Sequence, residues 1–350
     1  MEKSVKNSEK RAIKKRCKIC KSEMIKWGKT KQGKQRWRCP ECGKTRTIKK
    51  SQFSKRATFL LFISWILEQT VARVVSNNKL KSFHRKINWC WEITPEIPVT
   101  GEIYECILLD AMFIHTDLIL LLARTPSYII GYRFCKVETT EEWLALLSNF
   151  PQPKAISYDG GILISRALKE IWKNVEIQRC FWHLSRFAVR MVTQNPASRE
   201  GRVLLNISSE LLKVNNLETA KSWEERFFRA WKKYEKFICE RTRREDLPPD
   251  KRADCKRAWW WTHKNLHRGW VAFKKAIEEY KLWIWLENKN VPRTNNLIEG
   301  GINSPIARLC RAHNGMTEDH QMKMIGWYLL KRSEFKIDGF LDSTFPRCST

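Results

Sequence analysis

The chain of 350 residues has no run of about 18 apolar residues, the length a helix needs to cross a bilayer. Its longest apolar stretch, around Leu118–Ala123, is only strand-length. That excludes a membrane-spanning helix. The basic N-terminus carries no apolar segment behind its charges, so it does not read as a secretory signal. A cytoplasmic, reducing location is expected. There the twelve cysteines read as metal ligands or buried thiols, not as a disulfide framework. Acidic residues are scarce as well: 37 Asp+Glu stand against 66 Lys+Arg, a formal charge of +29. Such an excess calls for a polyanionic partner, nucleic acid first and an anionic membrane surface second. Hydrophobic residues make up 43%, enough for a sizeable core, so global disorder is not expected.

The positive charge is concentrated. Residues 1–50 hold 19 Lys+Arg and 4 acids, a net of +15. This is the footprint of a DNA-engaging arm, with a solubilising tail as the plainer alternative. Within it, "CKIC" (Cys17, Cys20) and "CPEC" (Cys39, Cys42) form C-x2-C-x18-C-x2-C. That spacing fits a four-cysteine zinc site, each pair aiming two thiolates at one tetrahedral ion. One structural Zn²⁺ is expected, supplying folding energy that so small a module cannot obtain from burial. Between the pairs, Trp27 and Trp37 flank a hairpin with Gly33 at its tip. Its cations Lys29, Lys31, Lys34, Arg36 and Arg38 are candidates for phosphate contact.

Residues 53–94 read as two helices. "FLLFISWILEQ" is apolar at helical intervals, "SNN" (76–78) is a turn and cap, and "KLKSFHRKINWCW" carries Lys79, Lys81, Arg85 and Lys86 on a basic face. The pattern suggests a helix-turn-helix reader of DNA, against an ordinary solvated helical hairpin. "TPEIPVTG" (94–101) marks a boundary.

Beyond it the pattern becomes α/β. "ECILLDAMFI", "LILLLA" and "SYIIGYRFC" predict three strands in an antiparallel meander. A helix from Thr139 to about Phe150, the strand "AISYDGG", the helix "ILISRALKEIW" and the strand "VEIQRC" follow. Asp110 interrupts an apolar strand, where a lone carboxylate is costly unless paired or metal-bound. Asp159 ends a strand before two glycines. Singly, Asp110 could be a satisfied core acid and Asp159 a turn residue. Glu299 opens the predicted helix "LIEGGINSPIARLCRAHNGM", with Asn295 and Asn296 as candidate caps. Taken alone, it could simply favour the helix dipole. Three carboxylates in so basic a chain can instead hold two Mg²⁺ (or Mn²⁺) ions for in-line phosphoryl transfer.

At these residues the sequence resembles the DDE transposases of bacterial insertion sequences, of the mutator-like type. The likeness runs through the cysteine ribbon, "NWCWEITPEIPVTGE", "LLDAMFI", "SYDGG", "QRCFWHLSR", "WWWTH", "PRTNNLIEGGIN" and "HNGMTEDHQ". It implies an RNase H-like catalytic core, Asp110, Asp159 and Glu299 as the metal-binding triad, and an all-helical insertion before the helix bearing Glu299. The expected division is a basic arm and zinc ribbon over 1–50 and a helix-turn-helix over 53–94. The first part of the core spans 101–190, the all-helical insertion 191–290, the core's C-terminal helices 291–335 and a tail 336–350.

The expected activity is binding of the element's terminal inverted repeats, then Mg²⁺-dependent strand cleavage and strand transfer. Double-stranded DNA is the partner, Asn295 and Asn296 join its contacts, and both ends processed together imply a homodimer or larger assembly. A non-catalytic DNA-binding regulator and an RNase H-like nuclease are the alternatives. In "RCFWH", His183 is read as facing the active centre, against a packed thiol (Cys180) and a hydrogen-bonded core histidine. His263 and His267, four apart in an expected helix, could complete a Cys/His₃ site with that pair. In "WWWTHKNLHRGW" the three tryptophans either fill the insertion's core or offer one ring to a base.

Overall fold

The computed structural model describes residues 16–31, 35–47, 52–68, 80–252, 255–279 and 282–344. The chain divides into two compact units, 1–62 with 341–350, and 63–340. Among the described residues no helix is long and apolar enough to cross a membrane.

In the first unit, strands β1 (Ile25–Lys29), β2 (Gln35–Arg38) and β3 (Thr45–Thr47) form an antiparallel sheet in chain order. Lys26 pairs with Trp37 and Arg36 with Thr47. The expected hairpin tip, with Gly33 and Lys34, lies outside the described residues. Cys17, Met24 and Cys39 are buried here, with Trp37 packed against them. So small a cluster is far short of a core. The segment 336–350, expected as a tail, contains a helix, Lys336–Thr344.

The two expected helices after the ribbon are present as Gln52–Leu67 and Leu80–Ile87. The stretch between them, with the "SNN" turn and Lys79, lies outside the described residues. The second α-helix is shorter than expected and passes into a 3₁₀ turn, Asn88–Glu92. Phe83 and Ile87, four apart, are buried on one face, and Trp65 meets Phe83 edge to face at 5.4 Å. Lys81, Arg85 and Lys86 are exposed on the other face.

The second unit is built on a five-stranded sheet of β4 (Cys106–His115), β5 (Leu118–Arg124), β6 (Ile129–Cys135), β7 (Ala155–Tyr158) and β8 (Glu176–Arg179), in the order β6-β5-β4-β7-β8. β4, β5 and β6 are antiparallel, as their short connections require. β7 and β8 add in parallel through helical crossovers, Thr140–Leu147 and Ile162–Ile171. β5 is buried along its whole length, which explains its unbroken apolar run. Trp143, Leu146 and Leu147 of one crossover helix, and Ile164, Ala167 and Leu168 of the other, share a core with sheet residues that include Leu109, Leu121 and Ile156. The Thr139 hydroxyl caps the first of these helices by accepting from the Glu142 N–H at 3.2 Å.

A second core lies among the helices Phe181–Val192, Arg199–Leu211, Leu217–Ile238 and Lys264–Glu278, filled by Trp223, Phe227, Trp231, Trp270 and Phe273. The expected all-helical insertion over 191–290 needs correction. Strands β9 (Arg241–Arg243) and β10 (Trp259–Trp261) form a two-stranded antiparallel sheet within it. "WWW" is therefore a strand and not part of a helix. Aromatic side chains fit a pleated surface, and the helix begins only after His263.

Candidate functional site

The register of the sheet brings the two aspartates together. β4 and β7 pair in parallel as Cys106 with Ala155, Ile107 with Ile156 and Leu108 with Ser157, a constant offset of 155 − 106 = 49 residues. Asp110 stands midway along β4, two residues past its last pair with β7, and Asp159 follows the carboxyl end of β7, where α/β sheets gather ligands; the charge of Asp159 is felt at Asp110. Asp110 is 7% exposed and accepts a hydrogen bond from Asn303 Nδ2 at 3.0 Å. Burial pushes its pKa from 3.8 up to about 7; the Asn303 bond opposes this, and the charges of Asp159 and Glu299 add to it. Asp159 accepts from the Gly161 N–H at 2.7 Å, which fixes the turn after β7. In that turn Gly160 has φ +84°, and a Cβ there would fall 0.5 Å from Arg179 Nη1. The glycine is what lets the guanidinium pass.

Glu299 does not open a regular helix. A single turn, Asn296–Ile298, precedes it, and Glu299–Asn303 is a π-helical segment leading into the α-helix Ser304–Ala312. Pro305 is the local cause, because it has no N–H to bond the Gly301 carbonyl one α-turn back. Instead the Tyr328 hydroxyl donates to Gly301 O at 3.4 Å, and Ser304 donates to Glu299 O through both its N–H and its Oγ. π-turns of this kind recur at functional sites. Here the extra residue carries Glu299 and Asn303 toward Asp110.

His183 faces the acids. Its Nε2 lies 3.2 Å from Glu299 Oε1, both side chains about a quarter exposed. Burial pushes the His183 pKa down, with Asp159 opposing, and pushes that of Glu299 up. Arg179, Arg186 and Arg190 also lower His183, and Arg186 favours the charged form of Glu299. Arg186 and Arg190 lie three and seven residues after His183, on the same face of the helix Phe181–Val192. That spacing was a signal the sequence reading missed. Cys180, by contrast, is a packed thiol. It is fully buried, accepts from the Asn295 N–H at 3.2 Å, and burial pushes it up to about 11.

Asn295, expected as a helix cap and DNA contact, stands at the N-cap position of the turn Asn296–Ile298, but its side chain makes no capping bond and faces inward. It is fully buried, its side chain accepting from Ser157 Oγ at 2.8 Å and donating to the Leu109 carbonyl at 3.0 Å. Its amide thus ties the segment before Glu299 to both aspartate-bearing strands. Asn296 is exposed, as a DNA contact requires. Arg124 was also overlooked. Buried on β5, it donates to the carbonyls of Thr125 (2.7 Å), Leu297 (2.8 Å) and Pro126 (2.8 Å), so it holds the chain two residues before Glu299. Arg124 also lines a cleft of about 910 Å³ with Lys289, Arg293, Asn296 and Arg332. Among the described residues no acidic one lines this cleft.

The three carboxylates do not close to within 4.8 Å of one another, the span of a one-ion site; among the described residues only Cys17, Cys20, Cys39 and Cys42 do. Two ions about 4 Å apart, each bound at about 2.1 Å, bridge as much as about 8 Å, so a two-ion site does not require its carboxylates to lie within one ion's span. The cysteines are closed. Cys17 and Cys42 sulfurs are 3.6 Å apart, those of Cys20 and Cys39 3.2 Å. Bonds of 2.3 Å to one tetrahedral Zn²⁺ would set them about 3.8 Å apart. Each knuckle has the same turn: the Lys21 N–H bonds Cys17 O and the Gly43 N–H bonds Cys39 O, with φ +64° and +68°. Hydrogen bonds from Ser22 bring Cys20 down to about 6. The Lys44 N–H pulls Cys42 down, but burial and the neighbouring sulfurs outweigh it and push it up to about 12.

Around the ribbon, Lys29, Lys31 and Arg36 are exposed, while Arg38 is half-buried with its guanidinium 4.5 Å from the Trp27 ring. The Cys/His₃ site is not assembled: His263 pairs with Glu240 at 3.1 Å and stacks on Phe237, and His267 stacks on Trp261. No protein-family model matches the chain, and no curated protein does.

Proposed function

We propose that this protein is a divalent-metal-dependent transposase of the DDE type, with an RNase H-like core, that cuts DNA at the ends of its element and joins them to target DNA. The observation that carries the reading is that Asp110, just past the paired part of β4, feels the charges of Asp159, at the end of β7, and of Glu299, brought in on a π-turn. Two supports test the fit of a cation pair. The donors are all hard carboxylate oxygens, the kind Mg²⁺ takes, and the charge of Asp159 raises the pKa of both Asp110 and Glu299. Bound there, Mg²⁺ or Mn²⁺ would polarise the scissile phosphate and lower the pKa of a water.

The chain's own residues do the rest. Asp110, Asp159 and Glu299 would hold the ions. Asn303 orients Asp110, His183 orients Glu299, and Arg124 and Asn295 fix the backbone from which Glu299 projects. In cleavage, a water oxygen bonds to phosphorus as the bond to the 3′-oxygen breaks; the proton lost by water balances the one gained by the new 3′-hydroxyl. In strand transfer, that hydroxyl attacks a target phosphodiester and one 3′-oxygen replaces another. Arg186, Arg190 and the basic cleft lined by Lys289, Arg293 and Arg332 would neutralise phosphates, and the zinc ribbon and the basic face of Leu80–Ile87 would add binding. The DNA is the element's terminal inverted repeats, held by a dimer or larger assembly in the cytoplasm at the nucleoid.

The test is cleavage of terminal-repeat DNA in Mg²⁺ by Asp110→Asn, Asp159→Asn and Glu299→Gln. Each is expected to lose at least about a thousandfold in rate while still binding DNA. A folded variant that cuts at the parent rate removes that residue from the triad.

A further inference from the structure

The small sheet of β9 and β10 takes no part in the acid site, yet it has a chemistry of its own. Its register pairs Arg243 with Trp259 and Arg241 with Trp261. Side chains alternate across a strand, so these two arginines and two tryptophans share one face, with Trp260 on the other. On the shared face the Arg241 guanidinium lies 4.3 Å from the Trp259 ring centroid and 4.8 Å from that of Trp261. The two rings meet edge to face at 5.1 Å, and Trp261 is backed by His267, stacked at 3.9 Å. Trp261 is thus held on both sides, whereas Trp259 remains 43% exposed.

Beside Trp259 is a cavity of about 770 Å³. Its lining includes Arg241, Arg243, Arg244, Arg252 and Lys256, and, among the described residues, one acid, Glu245. Glu245 is engaged by Arg243 at 3.0 Å. Arg252 donates to the Leu247 and Glu245 carbonyls. Arg244 and Lys256 have no ion pair among the described residues. An exposed indole beside clustered cations is relieved by one kind of ligand: a flat ring joined to an anion. An anionic bilayer is a poorer match, because it would need a contiguous apolar face, and Trp259 is the only large hydrophobic residue of this sheet that is exposed.

We propose that this sheet is a separate nucleic-acid contact that takes an unpaired nucleotide, its base on Trp259 and its phosphates on Arg244 and Lys256, with Arg241 bracing the indole. The inference rests on the reading that the chain engages DNA, and on nothing about the acids or cutting. The test uses the full zinc-loaded chain and a labelled single strand of roughly 16 nucleotides bearing 5-iodouracil. Irradiation is expected to crosslink the Trp259 peptide. Trp259→Ala is expected to weaken single-strand binding about tenfold, with Trp259→Phe recovering most of it and duplex binding changing less than about twofold. Arg244→Glu with Lys256→Glu should weaken both and flatten the salt dependence by about two.

An unchanged single-strand affinity in Trp259→Ala, or a crosslink confined to other segments, overturns the proposal. So does loss of binding to phosphatidylserine vesicles in that variant without an effect on DNA, which would mark a lipid surface instead. If Trp259→Ala has no effect while the parent cuts terminal repeats, this contact falls and the transposase reading stands. If the crosslink appears but Glu299→Gln still cuts, the reverse holds.

Discussion

The cysteine cluster and the acid cluster differ in what assembles them. In the first unit the four sulfurs already lie within one ion's span, although the module buries little besides Cys17, Met24 and Cys39. In the second, a large core positions the strand that carries Asp110 beside the strand that leads to Asp159, yet the three carboxylates do not gather within one ion's span. A closed thiolate set needs only two short knuckles, so local sequence can build it. An acid set drawn from distant segments needs a stiff scaffold. One cluster is built by local turns; the other depends on the fold.

The largest expected effect tests the first half of that contrast. Removing zinc by chelation, or Cys39→Ser, should unfold the ribbon, since structural zinc contributes on the order of 10 kcal/mol to such modules. Metal analysis should fall from one zinc per chain to none, and ribbon amides should lose hydrogen-exchange protection while β4–β8 keep theirs. Protection that survives without zinc would show that burial suffices.

Next in size is the core. Trp143, fully buried between sheet and helix, should cost about 3–5 kcal/mol as Trp143→Ala, read as a lower urea midpoint with zinc content unchanged. A third measurement addresses the cost of charge on the buried Asp110. Asp110 has its folded pKa raised from 3.8 to about 7, so the folded state binds the proton more tightly. Without Mg²⁺, stability should therefore be full below about pH 4, fall as pH rises to about 7, and then level off. The loss is on the order of 4 kcal/mol at most. Asp110→Asn should abolish the slope, and Mg²⁺ should restore the parent's stability at pH 8. A flat parent profile without Mg²⁺ would mean that burial does not penalise charge at Asp110. The smallest effect is expected from Gly160→Ala, where positive φ and the displaced Arg179 should cost about 1–3 kcal/mol. Its midpoint should drop with the ribbon's zinc unaffected.

Much of this was legible in the chain. The C-x2-C pairs, the meander, both crossover helices and the strand before Asp159 follow from spacing and periodicity, which are local. The errors fall where distant segments decide. "WWW" reads as helical beside "THKNLHRGW", but pairing with Arg241–Arg243, sixteen residues before the strand, makes it a strand. Asn295 has the look of an exposed cap, but its amide is spent between Leu109 and Ser157. Arg124 and Asn303 give no sequence signal, since a lone arginine or asparagine is ordinary until its partners are known.

By itself the sequence determined the net charge, which is a sum over composition, and the cysteine geometry and strand-helix order, which depend on residues a few positions apart. The tertiary structure alone decided the 49-residue register of β4 against β7, the inward turn of Glu299 and the Arg–Trp face of the small sheet. Those depend on which backbones pair and which carbonyls find donors, and such choices are made only when the whole chain competes for them.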